Sequence, residues 1–293
     1  MTAEKTTSPP VNSGFFARLL AGPQAVSKAG PAPPLDDLLQ DGARLMWIGA
    51  HPDDESFAGP IIARASIGLG NPTRIVAFTL GEGGLDARTK ARPDNLAEIR
   101  LGELEKVAEG YKAELRVERF FNAPLPVSSF PTRQELARRW AEEGDPVAVA
   151  TDEIRTFRPD VLLTFPPLHG CTGHPEHQAA SRFATAGVRR AAEEAEGVPG
   201  TPYRVPHVYY LLNRYWFGAL LGGRRDPFPW TERFNPGLPC GPGRTAVQVA
   251  SELTRFHETQ GSDMAMMRRL MGLYRWQYLY RVDPFEEIAH PFE

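Results

Sequence analysis

Residues 49–55, Gly-Ala-His-Pro-Asp-Asp-Glu, set an imidazole and three carboxylates directly behind the apolar run Leu45, Met46, Trp47 and Ile48. A strand that ends in such a cluster delivers its polar side chains to the carboxyl edge of a parallel sheet, where open α/β folds bind their ligands. A second cluster answers the first. Residues 161–165, Val-Leu-Leu-Thr-Phe, read as another buried strand, and Gly-His-Pro-Glu-His follows at 173–177. Together the two strand ends supply His51, His174 and His177 with Asp53 and Asp54, the ligand types of a mononuclear zinc site.

A catalytic zinc site takes three protein ligands and leaves one position to water, whose pKa falls toward about 7. His51 and Asp54, three residues apart across a proline-started turn, can face one Zn2+ ion, and His177 closes the set from the other strand end. Asp53 is then left beside the ion as a general base for the water. His174 lies one helical turn from a ligand, where an imidazole can stabilise an oxyanion and protonate a leaving nitrogen. A structural zinc site would use all its good ligands and favour cysteine. Two other readings compete: a structural zinc module of His169, Cys171, His174 and His177 with Cys240, and a metal-dependent phosphoesterase. For residues 51–56 the bland alternative is a turn in which Asp54 or Ser56 caps the next helix.

The elements that must hold these residues follow from hydrophobic period. Short β-branched runs alternate with helix-period segments, the pattern of βα units on a mostly parallel, Rossmann-like sheet flanked by helices. Strands are expected at 44–50, 73–80, 114–121, 161–165 and 207–212. A helix is expected from Pro93 to a stop at Gly110, and another over 175–196 with His174 before its first proline. From residue 200 onward Pro and Gly are frequent and aromatics gather between Tyr215 and Trp230, which suggests a C-terminal subdomain or lid. The aromatic stretch reads more readily as core or interface than as a sugar platform. The division expected is a flexible Pro-rich leader over 1–41, a metal-binding α/β core over 42–200, and a C-terminal part over 201–293 that completes the same domain.

The string Ala-His-Pro-Asp-Asp-Glu at 50–55, the Gly-His-Pro-Glu-His at 173–177, and the intervening Thr-Leu-Gly-Glu-Gly-Gly at 79–84 and Leu-Ala-Glu-Ile-Arg-Leu-Gly-Glu-Leu at 96–104 resemble the LmbE-like (PIG-L) family of zinc-dependent N-acetylglucosamine deacetylases. The resemblance spans roughly residues 44–190, with four separated motifs in order. It implies His51, Asp54 and His177 as zinc ligands, Asp53 as general base, His174 as the residue assisting the tetrahedral intermediate and leaving amine, and Arg100 as a holder of sugar hydroxyls. Glu82, in the loop that shapes the pocket, joins Arg100 among the expected substrate contacts. Members acting on the mycothiol precursor carry tyrosine where this chain has Thr172. A threonine hydroxyl is shorter and less acidic. His257, in Phe-His-Glu-Thr-Gln at 256–260, is similar to a family segment near the C-terminus, but its spacing fixes no role.

Composition limits the partners. The 293 residues carry 33 Lys and Arg against 36 Asp and Glu, and a net charge of −3 gives no basic field for nucleic acid. No apolar run approaches the roughly 20 residues of a membrane span. Two cysteines, Cys171 and Cys240, are too few for a disulfide framework and suit a reducing compartment. The expectation is a cytoplasmic hydrolase with one Zn2+ and a small amino-sugar or glycoconjugate substrate; a homo-oligomer is compatible with it.

Overall fold

The computed structural model describes residues 26–194, 198–212, 229–273 and 275–286. Its sheet is built from β1 (Leu45–Gly49), β2 (Thr73–Ala77), β3 (Glu114–Val117), β4 (Val161–Thr164), β5 (His207–Leu211), β6 (Glu232–Phe234) and β7 (Gln277–Val282), in the order β3-β2-β1-β4-β5-β7-β6. The first five are parallel; β7 runs antiparallel to β5 and to β6. The chain winds outward from β1 through β2 to β3 and then returns to β4 on the other side of β1. That reversal opens a crevice at the carboxyl ends of β1 and β4, the switch point at which such folds bind ligands.

Helices cover both faces because the central strands are apolar on both. Along β1, Met46 and Ile48 face one core with Trp140 of α4 (Arg133–Glu143), Ile154 of α5 (Pro146–Phe157) and Phe183 of α6 (Pro175–Ala192). Leu45 and Trp47 face the other with Leu39 of α1 (Leu35–Gln40), Ile62 of α2 (Glu55–Ala63), Val107 of α3 (Leu96–Tyr111) and Val249 of α7 (Ala246–Leu253). Each fully buried side chain of this size contributes about 1.5–3 kcal/mol. A last helix, α8 (Gly261–Leu273), packs Met264, Met267 and Met271 on Ala250 of α7.

Several local expectations are corrected. The helix expected to stop at Gly110 runs on to Tyr111 and ends on Lys112 in the left-handed conformation. Gly110 serves packing instead, since a Cβ there would fall 2.4 Å from Leu253 Cδ2. The strand expected over 114–121 ends at Val117, and the remainder forms the loop that carries Asn122 toward the site. The leader expected to be flexible up to residue 41 contains α1, anchored by buried Leu35 and Leu39; residues 1–25 lie outside those described. Helices α4 and α5 were not anticipated, though each carries a start signal. Thr132 and Glu135 form a reciprocal capping box, and Asp145 caps a helix whose first residue is Pro146. The second expected helix, over 175–196, closes at Ala192, and its final residues lie outside those described. The C-terminal part gives β5, β6 and β7 to the common sheet, while the aromatic stretch, Trp230 excepted, lies outside the described residues.

Candidate metal centre

The turn after β1 folds around one carboxylate. Asp54 Oδ2 accepts from the backbone N–H of Ala50 at 2.7 Å and of His51 at 2.8 Å, so the side chain turns back toward the strand end and caps no helix. Asp54 Oδ1 lies 3.0 Å from His177 Nε2, and Oδ2 lies 3.6 Å from His51 Nδ1. His51 Nδ1 and His177 Nε2 are 3.1 Å apart. Three residues separated by up to 126 positions thus converge on one point at the crevice.

The outer partners fix which nitrogens are free. His177 Nδ1 lies 2.8 Å from the Gly170 carbonyl and 3.2 Å from Thr172 Oγ1, so its N–H belongs there and Nε2 turns a lone pair inward. Gly170 is required for this approach: φ is +55°, and a Cβ would fall 2.5 Å from His177 Cβ. The His177 ring stacks on Phe165, 4.5 Å between centroids. His51 Nε2 hydrogen-bonds Glu176 Oε2, which directs its N–H to that carboxylate and its Nδ1 lone pair inward. Two ring nitrogens and a carboxylate oxygen that converge on one point form a donor set for a cation once the inward nitrogens are deprotonated. The surrounding charge agrees. Burial lowers the pKa of His51, but Asp54 and Glu176 outweigh it and hold it well above the usual range. Burial would raise Asp54, yet His177 and His51 hold it well below the carboxylate range.

Asp53 stands next to this set in an unusual backbone state, φ +114°, a conformation that costs on the order of 1–3 kcal/mol in a non-glycine residue and persists only when its surroundings enforce it. Its N–H donates to Glu55 Oε2 at 3.0 Å, while Glu55 Oε1 lies 2.8 Å from His257 Nε2. Gln260 Nε2 donates to the Pro52 carbonyl at 2.6 Å. Burial, then the charge of Asp54, pushes the Asp53 carboxyl up to about 7, against the opposing pull of His257, His51 and Arg100. His174 Nδ1 accepts from Glu176 N–H at 3.3 Å as the N-cap of α6, and its ring lies 4.8 Å from that of His51 and 5.0 Å from that of His177. Burial and those two imidazoles push its pKa down to about 2. The proton expected on His174 is therefore disfavoured, and the residue presents a neutral Nε2–H.

The expected substrate residues fare differently. Arg100 lines the cavity above the centre, but its Nη1 donates to the Gly81 carbonyl at 2.6 Å and its Nη2 to the Leu85 carbonyl at 3.3 Å, so it binds the loop. Glu82 is absent from the cavity wall; burial raises its carboxyl. Thr172 Oγ1 faces His177 and accepts from His174 N–H at 3.3 Å. Sequence reasoning missed Glu176, fully buried and held by Asn122 Nδ2 at 2.5 Å and Ala123 N–H at 2.6 Å. It stands between the two histidines of the second motif. Among the described residues, His51, His174 and His177, and likewise His51, Asp53 and Asp54, also hold ligand atoms close enough together to share an ion. Both include His51 and neither includes a cysteine, which counts against the His169–Cys171 module and gives a phosphoesterase no second centre. Cys240 Sγ instead donates to the Ala63 carbonyl at 3.1 Å.

Fold and site together define a Rossmann-like α/β protein with a histidine–aspartate group able to hold a metal ion at its switch point. A family model described as PIG-L: GlcNAc-PI de-N-acetylase matches residues 46–188. The chain belongs to this family. A 1D-myo-inositol 2-acetamido-2-deoxy-alpha-D-glucopyranoside deacetylase of Rhodococcus opacus is 30% identical over 233 residues, covering 72% of this chain and 77% of the relative. A protein of the same name from Nocardiopsis dassonvillei is 35% identical over 180 residues, 57% of this chain and 61% of the relative. The chain thus spans about three fifths of the length of several curated relatives that it matches. The N,N'-diacetylchitobiose deacetylase from Pyrococcus horikoshii superposes with a TM-score of 0.59 over 86% of this chain and 88% of its own, at 14% identity, a likeness of fold.

Proposed function

We propose that this protein hydrolyses an N-acyl amide, chiefly N-acetyl, on an amino sugar or related conjugate, using one zinc ion held by His51, Asp54 and His177. The observation that carries the reading is the convergence of His51 Nδ1, His177 Nε2 and Asp54 with a spare carboxylate, Asp53, beside them. The relatives named as deacetylases support the same reaction class. When bound, the zinc ion supplies Lewis acidity and lowers the pKa of a coordinated water toward about 7.

The chain's own groups supply the remainder. Asp53 accepts the proton of the attacking water as its oxygen bonds to the amide carbon. His174 donates its Nε2–H to the carbonyl oxygen as negative charge develops there, which a neutral imidazole does without losing its proton. The amide C–N bond breaks once nitrogen is protonated, and Asp53 returns the proton it took. This reassigns the acid role first expected of His174. Arg100 shapes the substrate loop from behind. The two cysteines, neither in a disulfide, support a cytoplasmic setting. The test is metal analysis paired with amine release from a panel of N-acetyl amino sugars. One zinc per chain and amine release that both disappear in His51→Ala and His177→Ala are expected; metal at full occupancy in both variants would overturn the ligand set.

A further inference from the structure

The cavity over the centre measures about 610 Å³, within the range of roughly 300–1,000 Å³ typical of pockets for drug-sized ligands. Its floor is polar, and a large part of its wall is apolar. Met264, Met266, Met267 and Leu270 of α8 line one side. Leu85, Leu125 and Phe130 line the cavity from loops that follow β2 and β3. Three of these side chains are exposed at the mouth, Met266 at 49%, Leu85 at 38% and Leu125 at 37%. Large apolar side chains that line one opening and stay in contact with water mark a surface kept for a ligand. Methionine, unbranched and polarizable, suits an adaptable apolar wall.

Many polar groups of the same cavity are engaged by the protein, although Arg100 Nε and Gln260 Oε1 have no hydrogen-bond partner among the described residues. Arg100 donates from Nη1 and Nη2 to the Gly81 and Leu85 carbonyls, Asn122 bonds Glu176 and the Gly83 N–H, Thr259 bonds Glu103, and the Gln260 amide nitrogen bonds the Pro52 carbonyl. Lys90, Ser262 and Asp263 add polar lining that can meet a sugar ring. A second polyol unit, such as the inositol in the names of the curated relatives, would set hydroxyls against the methionine and leucine side chains, and each hydroxyl buried there without a partner is costly.

We infer that the substrate carries an apolar arm, aliphatic or aromatic, that lies between the α8 methionines and Leu125 while its amide meets the centre. The inference rests on the deacetylase reading and narrows its substrate class. An apolar aglycone and a longer N-acyl chain offer the same chemistry, so the experiment has an arm for each. Amine release is measured for the methyl glycoside of N-acetylglucosamine, its hexyl glycoside, and the methyl glycoside of N-hexanoylglucosamine. Binding of the same three is measured by calorimetry to full-length Asp53→Asn, which lacks the proposed base.

The expected result is a gain of at least about tenfold in kcat/KM and in affinity for one hexyl compound over the methyl reference, since each buried methylene adds to binding. Met266→Gln, at an exposed position, should cut that ratio about threefold or more. Equal constants for all three compounds in wild type, or a ratio untouched in both Met266→Gln and Leu125→Gln, would overturn the inference. No amine release from any compound, with a hexyl compound still preferred in binding, would count against the deacetylase reading and for the apolar subsite.

Discussion

At the scale of single residues the site divides into groups that gather charge and groups that orient them. Asp53 has the shape of a base set apart from the ligands, so Asp53→Asn should retain the ion and lose on the order of 10²–10⁴ in turnover. Metal content and kcat measured on one preparation check both halves; wild-type turnover would remove Asp53 from the mechanism. Glu176 acts one step further out, on His51. Removing a carboxylate that orients a histidine ligand typically costs 10–100-fold in metal affinity, and Glu176→Ala is expected in that range by competition with a chelator. Unaltered affinity would make Glu176 a merely buried acid. His51 and Asp54 were legible in the sequence because they follow closely on the end of β1, and His177 because it closes the compact Gly-His-Pro-Glu-His motif after β4. Glu176 was less so. Its carboxylate is recruited by Asn122 and the Ala123 N–H, both from the loop after β3, and no local spacing reveals a partner 54 positions away.

The elements explain why Asp53 can hold its conformation. The turns Thr254–Phe256 and Glu258–Gln260 bring His257 and Gln260 against the loop after β1, although the two are more than 200 residues apart in sequence. Thr259 is anchored in turn on Glu103 of α3, with its N–H at 2.8 Å and its hydroxyl at 2.7 Å. The α3 helix, the C-terminal turns and the β1 loop therefore form one clasp. His257→Ala leaves the buried Glu55 carboxylate one partner short, a loss of roughly 1–3 kcal/mol or more for a charged group. Lower melting temperature is expected together with a fall in kcat, while metal stoichiometry and KM stay near wild type. A variant that loses stability but keeps full kcat would reduce His257 to a core residue. Sequence period found the strands that feed this clasp, because apolar runs bounded by turns declare themselves. It misread the end of α3, where Gly110 looks like a stop but lies inside the helix, with the Leu253 side chain, 143 residues later, packed close against it. It also left α4 and α5 unplaced, although their capping residues were in view.

For the whole molecule the switch point converts topology into chemistry. The β1 loop and the β4 loop meet only because the sheet is laid out from β1 in both directions, so the acceptors of His51, Asp54 and His177 are assembled by folding and absent from the unfolded chain. An ion that binds the folded state alone stabilises it by about 2.7 kcal/mol at a hundredfold excess over its dissociation constant. The sign of the pH effect follows from the ligands. An imidazole binds a metal ion through a deprotonated nitrogen, so protons compete with the ion and the metal-dependent stabilisation shrinks as pH falls. Thermal melting with zinc and with chelator should therefore differ by several degrees at pH 8, by less at pH 6, and by nothing in His51→Ala at either pH. A zinc-dependent shift equal at both pH values, or one retained in His51→Ala, would place the stabilising ion elsewhere and separate the melting behaviour from the switch point.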